Sequence, residues 1–170
     1  MTEASREVGV EVRRRAIDNP WIDQLWSPAV ILEEVPATAP WTVLSSEADA
    51  TTYYAGAASI DLFSSETANY RDNLADGTPR IWVALRRPDG GAELELTKVT
   101  ADPTEGEALF ESGCEVIGTV PMPPDIASWI AAFVDHFHVE RVFHKRKRDR
   151  ARGDRPRLPG DRSDEGAGRP

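Results

Sequence analysis

The chain has 170 residues, of which 40% are hydrophobic and 29% are charged. This composition is typical of one globular domain with a tail and excludes a mainly disordered chain. A single cysteine, Cys114, excludes an intramolecular disulfide and a cysteine-rich metal site. The longest apolar run, Trp129–Val134, has six residues, whereas a membrane-spanning helix needs roughly 20. Because the N-terminus also lacks the apolar region of a signal peptide, we expect a soluble cytoplasmic protein.

The net charge of −9 is divided unevenly along the chain. Residues 139–170 contain eleven Lys/Arg and six Asp/Glu, whereas residues 1–138 contain nine Lys/Arg and twenty-three Asp/Glu. An acidic body is thus followed by a basic tail, and this asymmetry favours a tail that binds an anionic partner. Because apolar residues are almost absent beyond Val142, the tail is expected to be disordered. The predicted organisation is a flexible N-terminus at 1–6, one domain at 7–138 and the tail at 139–170.

The first third of the chain predicts β-strands. Residues Glu7–Val12 alternate between valine and polar or small residues, as in a strand with one buried face. Asn19-Pro20 predicts a turn, in which Asp18 or Asn19 accepts a hydrogen bond from a backbone N–H two residues on. Residues 21–25 can then form one helical turn. Further strands are predicted at Ala29–Val35, Trp41–Leu44 and Thr51–Phe63, and Gly56 in the last marks either a bulge or a close approach of another backbone.

The remainder of the domain combines short helices with strands. Helices are predicted at Ser64–Leu74 and Pro103–Glu111. Strand Arg80–Arg86 continues through the turn Pro88–Gly91 into a hairpin partner that begins at Leu94. A last strand is predicted at Glu115–Val120. An amphipathic helix follows at Asp125–Phe137, with its apolar stripe formed by Ile126, Trp129, Ile130, Phe133 and Phe137.

These elements together predict the fold class. Sequential strands joined by short turns favour antiparallel neighbours. We therefore expect an α+β fold, in which a curved, mostly antiparallel sheet of six or seven strands, open or half-barrel, is packed by the C-terminal amphipathic helix and two short helices.

Two tryptophans, Trp21 and Trp26, are the first candidate site residues. We interpret them as covering an edge of the core, with Trp82 and Trp129 also inside the fold. The alternative is an exposed pair that stacks on a base or on a partner's side chain.

No motif indicates catalysis, a cofactor or a metal. The phosphate-binding patterns GxxxxGK[ST] and GxGxxG and the nucleophile motif GxSxG are absent from the sequence. His136, His138 and His144 lack the i, i+4 spacing of metal ligands on a helix, and Cys114 is expected to be a buried, inert thiol. An enzyme is kept as a third hypothesis, with a site around Tyr53, Tyr54, Tyr70 and Arg71 that would need strongly shifted titrating groups.

The basic tail supplies the other candidate residues. Its positive side chains can contact a partner or the phosphates of a nucleic acid, and the alternative is a solvated, flexible tail. The residues concerned are Arg141, Lys145, Arg146, Lys147, Arg148 and Arg150.

Several short motifs carry a resemblance to a known family. They are IDNPW at 17–21, Trp26-Ser27-Pro28, APWTVL at 39–44, YYAG at 53–56, NYRDNL at 69–74, VPMPP at 120–124 and HVERVFHKRKR at 138–148. Over residues 8–148 the chain resembles a family of small bacterial proteins known as a domain of unknown function. The genes of that family are similar in placement to accessory genes near molybdenum-dependent formate dehydrogenases, and some members carry a name from molybdopterin-guanine dinucleotide synthesis.

The resemblance implies a helper of formate dehydrogenase assembly or of cofactor handling, with no assigned catalytic residue. The name that some members carry implies a nucleotidyltransferase, an enzyme with a glycine- and lysine-rich nucleotide loop near its N-terminus. This sequence does not support that activity, because residues 1–20 contain one glycine and no lysine. We therefore expect a non-enzymatic, cytoplasmic accessory or adaptor protein without a cofactor. Its partner would be a protein, such as a molybdoenzyme or its maturation machinery. The alternative is a nucleic-acid or nucleotide binder that uses the basic tail.

Overall fold

The computed structural model describes residues 3–89, 91 and 93–138, which belong to the structural unit Met1–Val139. The basic tail, with its predicted disorder and its candidate residues, lies outside the described residues. The strands are β1 (Ala4–Ala16), β2 (Gln24–Leu32), β3 (Thr42–Ser46), β4 (Ala50–Leu62), β5 (Arg80–Arg86), β6 (Glu95–Thr100) and β7 (Val116–Pro121). The helices are α1 (Thr67–Ala75), α2 (Pro103–Ala108) and α3 (Pro124–Phe137), with short 3-10 turns at Ser64–Glu66 and Leu109–Glu111.

The strands form two antiparallel sheets, one with the order β2-β1-β4-β3 and one with the order β6-β5-β7. The prediction of a mixed fold with antiparallel strands is confirmed, but the prediction of a single curved sheet is wrong. β2 lies beside β7 and β4 lies beside β6 without joining the ladders. A Cβ on Gly118 of β7 would lie 2.9 Å from Cδ of Pro28 in β2. β2 and β7 therefore approach closely at Pro28, a residue that has no N–H to donate to a ladder.

The long strands β1 and β4 pair along almost their whole length. The register places Val10 opposite Gly56 and Glu11 opposite Tyr54, so Ala55 is an extra residue in β4. Gly56 has a φ of 125°, a conformation that glycine adopts without a steric penalty. The predicted bulge is therefore confirmed. β1 begins at Ala4, where it pairs with Leu62, so residues 4–6 belong to the strand and not to a separate N-terminal segment.

The core lies between the first sheet, the second sheet and α3. The valines of β1 that the alternation placed on one face, Val8, Val10 and Val12, are all buried. On α3, Ile126, Ile130, Phe133 and Val134 are buried, whereas Trp129 is only half-buried and Phe137 is partly exposed. The predicted helix and its docking are confirmed, with the buried stripe shifted towards Val134.

The contact between α2 and β5 is unusually close. Asp102 caps α2 by accepting hydrogen bonds from the backbone N–H groups of Thr104 at 2.8 Å and Glu105 at 3.4 Å. This cap fixes the start of a six-residue helix that would be marginal alone. Gly106 then lies directly on the indole of Trp82, where a Cβ would come within 2.3 Å of the ring.

Candidate functional site

The segment between β1 and β2 presents Trp21 to solvent. The side chain of Asn19 accepts a hydrogen bond from the backbone N–H of Trp21 at 2.8 Å, and the N–H of Ile17 donates to the carbonyl of Asp23 at 3.2 Å. The predicted Asn19 turn is therefore confirmed, and it is followed by bends up to Asp23 instead of a helical turn. Although its backbone is held, Trp21 is 90% exposed. The expectation that Trp21 covers a core edge is wrong.

A groove lies beside this segment, between the start of β2 and the start of β7. Its volume is about 560 Å³. It is lined by Ile22, Asp23, Gln24, Leu25, Trp26, Arg87, Glu115 and Val116. Ile22 and Leu25 are about half exposed, and Nε of Arg87 lies 3.1 Å from a carboxylate oxygen of Glu115. On the β2 side the groove thus combines apolar side chains with Asp23 and Gln24, and an ion pair lies opposite, a mixture of surfaces that is typical of protein interfaces.

Trp26 belongs both to this groove and to a cluster of aromatic rings. The ring centroid of Trp26 lies 5.9 Å from that of Trp41 and 5.6 Å from that of Tyr53, and Trp41 and Tyr53 are 6.2 Å apart. The guanidinium carbon of Arg14 lies 5.7 Å from the centre of Trp26 and 5.3 Å from the centre of Tyr53. Such ring pairs and cation–π contacts contribute about 0.5–1.5 kcal/mol each. The half-buried Trp26 is therefore a fixed wall of the groove, as the core-edge prediction expected for this residue.

Trp41 reaches the aromatic cluster through an unusual backbone conformation. Its φ is 70°, in the left-handed region that bulky residues rarely occupy, at a cost of about 1–3 kcal/mol. Its N–H donates to the carbonyl of Tyr54, and its ring packs against the core beside Trp26 and Tyr53. These interactions offset the strain and hold the start of β3 against the cluster.

The tyrosines of the enzyme hypothesis lie in separate environments. Tyr53 is part of the aromatic cluster, Tyr54 is buried, and Tyr70 packs against Phe133 of α3 with ring centroids 6.2 Å apart. Burial raises the pKa of Tyr70 to about 12, with smaller contributions from nearby carboxylates. Burial also raises the pKa of Tyr54, assisted by the charge of Glu7. Both hydroxyls therefore remain protonated at neutral pH, and neither is suited to act as a general base.

His138, immediately after α3, is fixed on α1. Its Nδ1 lies 3.0 Å from the hydroxyl of Thr67, and its Nε2 accepts a hydrogen bond from Arg71 at 2.8 Å. His136 instead packs edge-on against Phe137. Within residues 3–138 as described, no group of three His, Cys, Asp or Glu side chains could hold a metal ion. His144 and the tail residues Arg141, Lys145, Arg146, Lys147, Arg148 and Arg150 lie outside the described residues.

Arg87 and Glu115, the groove residues next to the strands of the second sheet, were not predicted from the sequence. Arg87 and Glu115 are 28 positions apart and meet because β5 pairs with β7.

Arg14 faces Trp26 because the two are directly opposite in the β1–β2 ladder. Trp41 was assigned only to the start of a strand. The signal that could have found Arg14 was the predicted turn at Asn19-Pro20, which implies a hairpin on either side of it.

The comparisons place the chain in a family and add no function. A family model described as "Protein of unknown function (DUF3305)" matches residues 7–147, from β1 to beyond α3. No curated protein and no solved structure matches the chain. Among the helices in the described part of the chain, none has the length and apolar character to cross a membrane.

Proposed function

The chain belongs to the DUF3305 family, and we propose that it is a non-enzymatic, cytoplasmic accessory protein that binds a partner protein through the Trp21 surface. This surface consists of Trp21, Ile22, Leu25 and the adjoining groove. The observation that carries the proposal is the 90% exposure of Trp21 on a backbone that is held by hydrogen bonds at both ends of its turn.

An exposed tryptophan beside other apolar side chains is what a binding surface requires. Tryptophan and arginine are enriched among the residues that dominate interface energies, and they act best within a patch that excludes water. Trp21 supplies an aromatic side chain that is free to be buried, Ile22 and Leu25 enlarge the apolar area, and Arg87 is placed across the groove. Because the turn is already ordered, binding would not have to pay for folding the loop.

The resemblance described above narrows the partner. Family genes that are similar in placement to accessory genes of molybdenum-dependent formate dehydrogenases support a formate dehydrogenase subunit, or a protein that matures its cofactor, as the partner. The acidic body and the basic tail of this chain would then assist docking through charge complementarity. The absence of any catalytic arrangement around the tyrosines of the described residues supports a binding role.

The proposal is tested by measuring the affinity of the full chain for a purified formate dehydrogenase. Trp21→Ala should weaken binding by at least about 30-fold, because loss of a dominant interface side chain costs about 2 kcal/mol or more. Folding should be unaffected, since the exposed ring is not part of the core and the Asn19 bond is made by the backbone. Phe110→Ala is the matched control, because Phe110 is an aromatic residue that is 64% exposed on a different segment.

Two results would contradict this proposal. Equal affinities of the wild type and Trp21→Ala would show that the surface is not the contact. If the wild type binds neither the enzyme nor the proteins that mature its cofactor, the suggested class of partner is wrong.

A further inference from the structure

The free edge of β3 is the strand edge in the described residues that most lacks protection. All five residues of β3 are exposed, and its hydrogen-bonded partner in the sheet is β4 on one side. The other outer strands have neighbours from the opposite sheet, since β2 lies beside β7 and β6 lies beside β4. An edge strand turns about half of its backbone N–H and C=O groups outward, where they can pair with another strand.

The sequence of β3 lacks the features that usually prevent pairing between edges. Thr42–Ser46 contains no charged residue and no proline, although charges and prolines are the common means of protecting an edge. Val43 is 53% exposed and Leu44 is 43% exposed. Its protecting features are its length of only five residues and a bulge, because Leu44 is an extra residue relative to β4.

The strand is also complementary to a second copy of itself. An antiparallel pairing about Leu44 sets Thr42 opposite Ser46 and Val43 opposite Ser45, with no like charges facing each other. The first charged residue beyond the strand, Glu47, would fall opposite Trp41 of the other copy. Its carboxylate is already neutralised within its own chain, since an oxygen lies 2.8 Å from a guanidinium nitrogen of Arg13.

We propose that two copies of this chain pair through their β3 edges, related by a two-fold axis near Leu44. The two four-stranded sheets then form one continuous eight-stranded sheet, a size within the usual range. The pairing satisfies the outward backbone groups of β3 beyond Thr42, whose N–H already donates to the carbonyl of Ala39, and it covers Val43 and Leu44. It leaves the Trp21 surface, at the start of β2, at the opposite edge of each sheet, so this inference is independent of the partner proposed above.

Cysteine crosslinking of the full chain tests both the pairing and its register. In a Cys114→Ser background, single cysteines are introduced as Val43→Cys, Leu44→Cys and Ser45→Cys, and crosslinking under mild oxidation is followed on non-reducing gels. Residues that face each other across a two-fold axis have Cα atoms about 4.5–5.5 Å apart, a distance that a disulfide spans. Crosslinking should be highest at position 44. Val30→Cys on β2, where Val30 is 44% exposed, is the matched control and should remain monomeric.

The wild-type chain should have the mass of a dimer in light scattering. Leu44→Lys sets two lysines face to face and should raise the dimer dissociation constant by at least about tenfold, whereas Val30→Lys should leave it unchanged. A wild-type chain that is monomeric at about 100 μM, where specific dimers of even weak affinity are populated, overturns the proposal. So does a Val30→Cys variant that crosslinks as well as Leu44→Cys. A monomer that binds an extended partner peptide along β3 would likewise refute pairing with a second copy.

Discussion

Replacing Gly106 by alanine is the most direct test of the packing between α2 and β5. An added Cβ would lie 2.3 Å from Cγ, 2.4 Å from Cδ2 and 2.5 Å from Cδ1 of Trp82. These are atoms of a rigid, half-buried ring and not the end of a flexible side chain. Either α2 must move away from β5 or the indole must turn.

The expected size of the effect follows from two opposing contributions. Alanine is a better helix former than glycine by up to about 1 kcal/mol, which favours the variant. Overpacking a well-packed site costs about 1–3 kcal/mol, and contact with three ring atoms at once places this site at the upper end. We expect a net loss of about 1–2 kcal/mol in the free energy of unfolding. For a chain of this size that corresponds to a fall of roughly 2–8 °C in Tm.

Urea and thermal denaturation of the full chain, followed by tryptophan fluorescence, measure this loss. Gly77→Ala is the matched control, because an added Cβ at Gly77 meets nothing within 4 Å and a less flexible unfolded chain favours alanine slightly. In a Trp82→Val background the space at Gly106 is open, so the additional cost of Gly106→Ala should largely disappear. The reasoning is refuted if Gly106→Ala is as stable as the wild type, or if its cost is the same in both backgrounds.

Three further results are expected. Burial raises the pKa of Tyr70 to about 12, so the stability that comes from its neutral hydroxyl is present below about pH 10 and is lost as the pH rises towards 12. In urea titrations between these pH values, the free energy of unfolding should fall less for Tyr70→Phe than for the wild type. Gly118→Ala should destabilise the fold by about 1–3 kcal/mol, since its Cβ would meet the rigid ring of Pro28 at 2.9 Å; calorimetry that shows no change in Tm would contradict this. If the basic tail contacts phosphates, the affinity of the full chain for a DNA duplex should fall steeply between about 50 and 200 mM salt. Replacing Lys145–Arg148 by alanine should then make the affinity depend less on the salt concentration. An affinity that does not change with salt would exclude such contacts.

Most helices and strands were predicted from local sequence patterns, because the conformation of each segment depends largely on residues close to it in the sequence. β5 was predicted with its observed bounds, Arg80–Arg86, because its apolar residues are closely bounded by polar ones and a turn. The N–H of Gly91 donates to the carbonyl of Pro88 at 2.8 Å, as the turn chemistry required. The division into two sheets could not be predicted in this way. The two sheets meet through contacts such as that of Pro28 with Gly118, which joins positions 90 residues apart in the sequence and which no periodicity reveals.

The four of the five tryptophans that were predicted to lie inside the fold show the same limit for individual side chains. Trp26, Trp82 and Trp129 are half-buried, whereas Trp21 is almost fully exposed, although Trp21 and Trp26 occur in the same short stretch. The exposure of a side chain on a turn is set by what other segments place over it. Here β7 and the end of β5 approach Trp26 but leave Trp21 uncovered.

The position of the candidate site follows from where the two sheets stop facing each other. Pro28 meets Gly118, and two residues earlier on each strand Trp26 and Val116 both pack against the core and line the groove. The core therefore ends at this level, and the side chains beyond it, Ile22 and Leu25, are half exposed. The aromatic cluster with Arg14 closes the interior on the other side of Trp26. Because that cluster fixes Trp26, the Trp21 surface lies on a rigid base. The variant Tyr53→Ala, which loosens the cluster, should therefore weaken partner binding although Tyr53 is not part of the Trp21 surface.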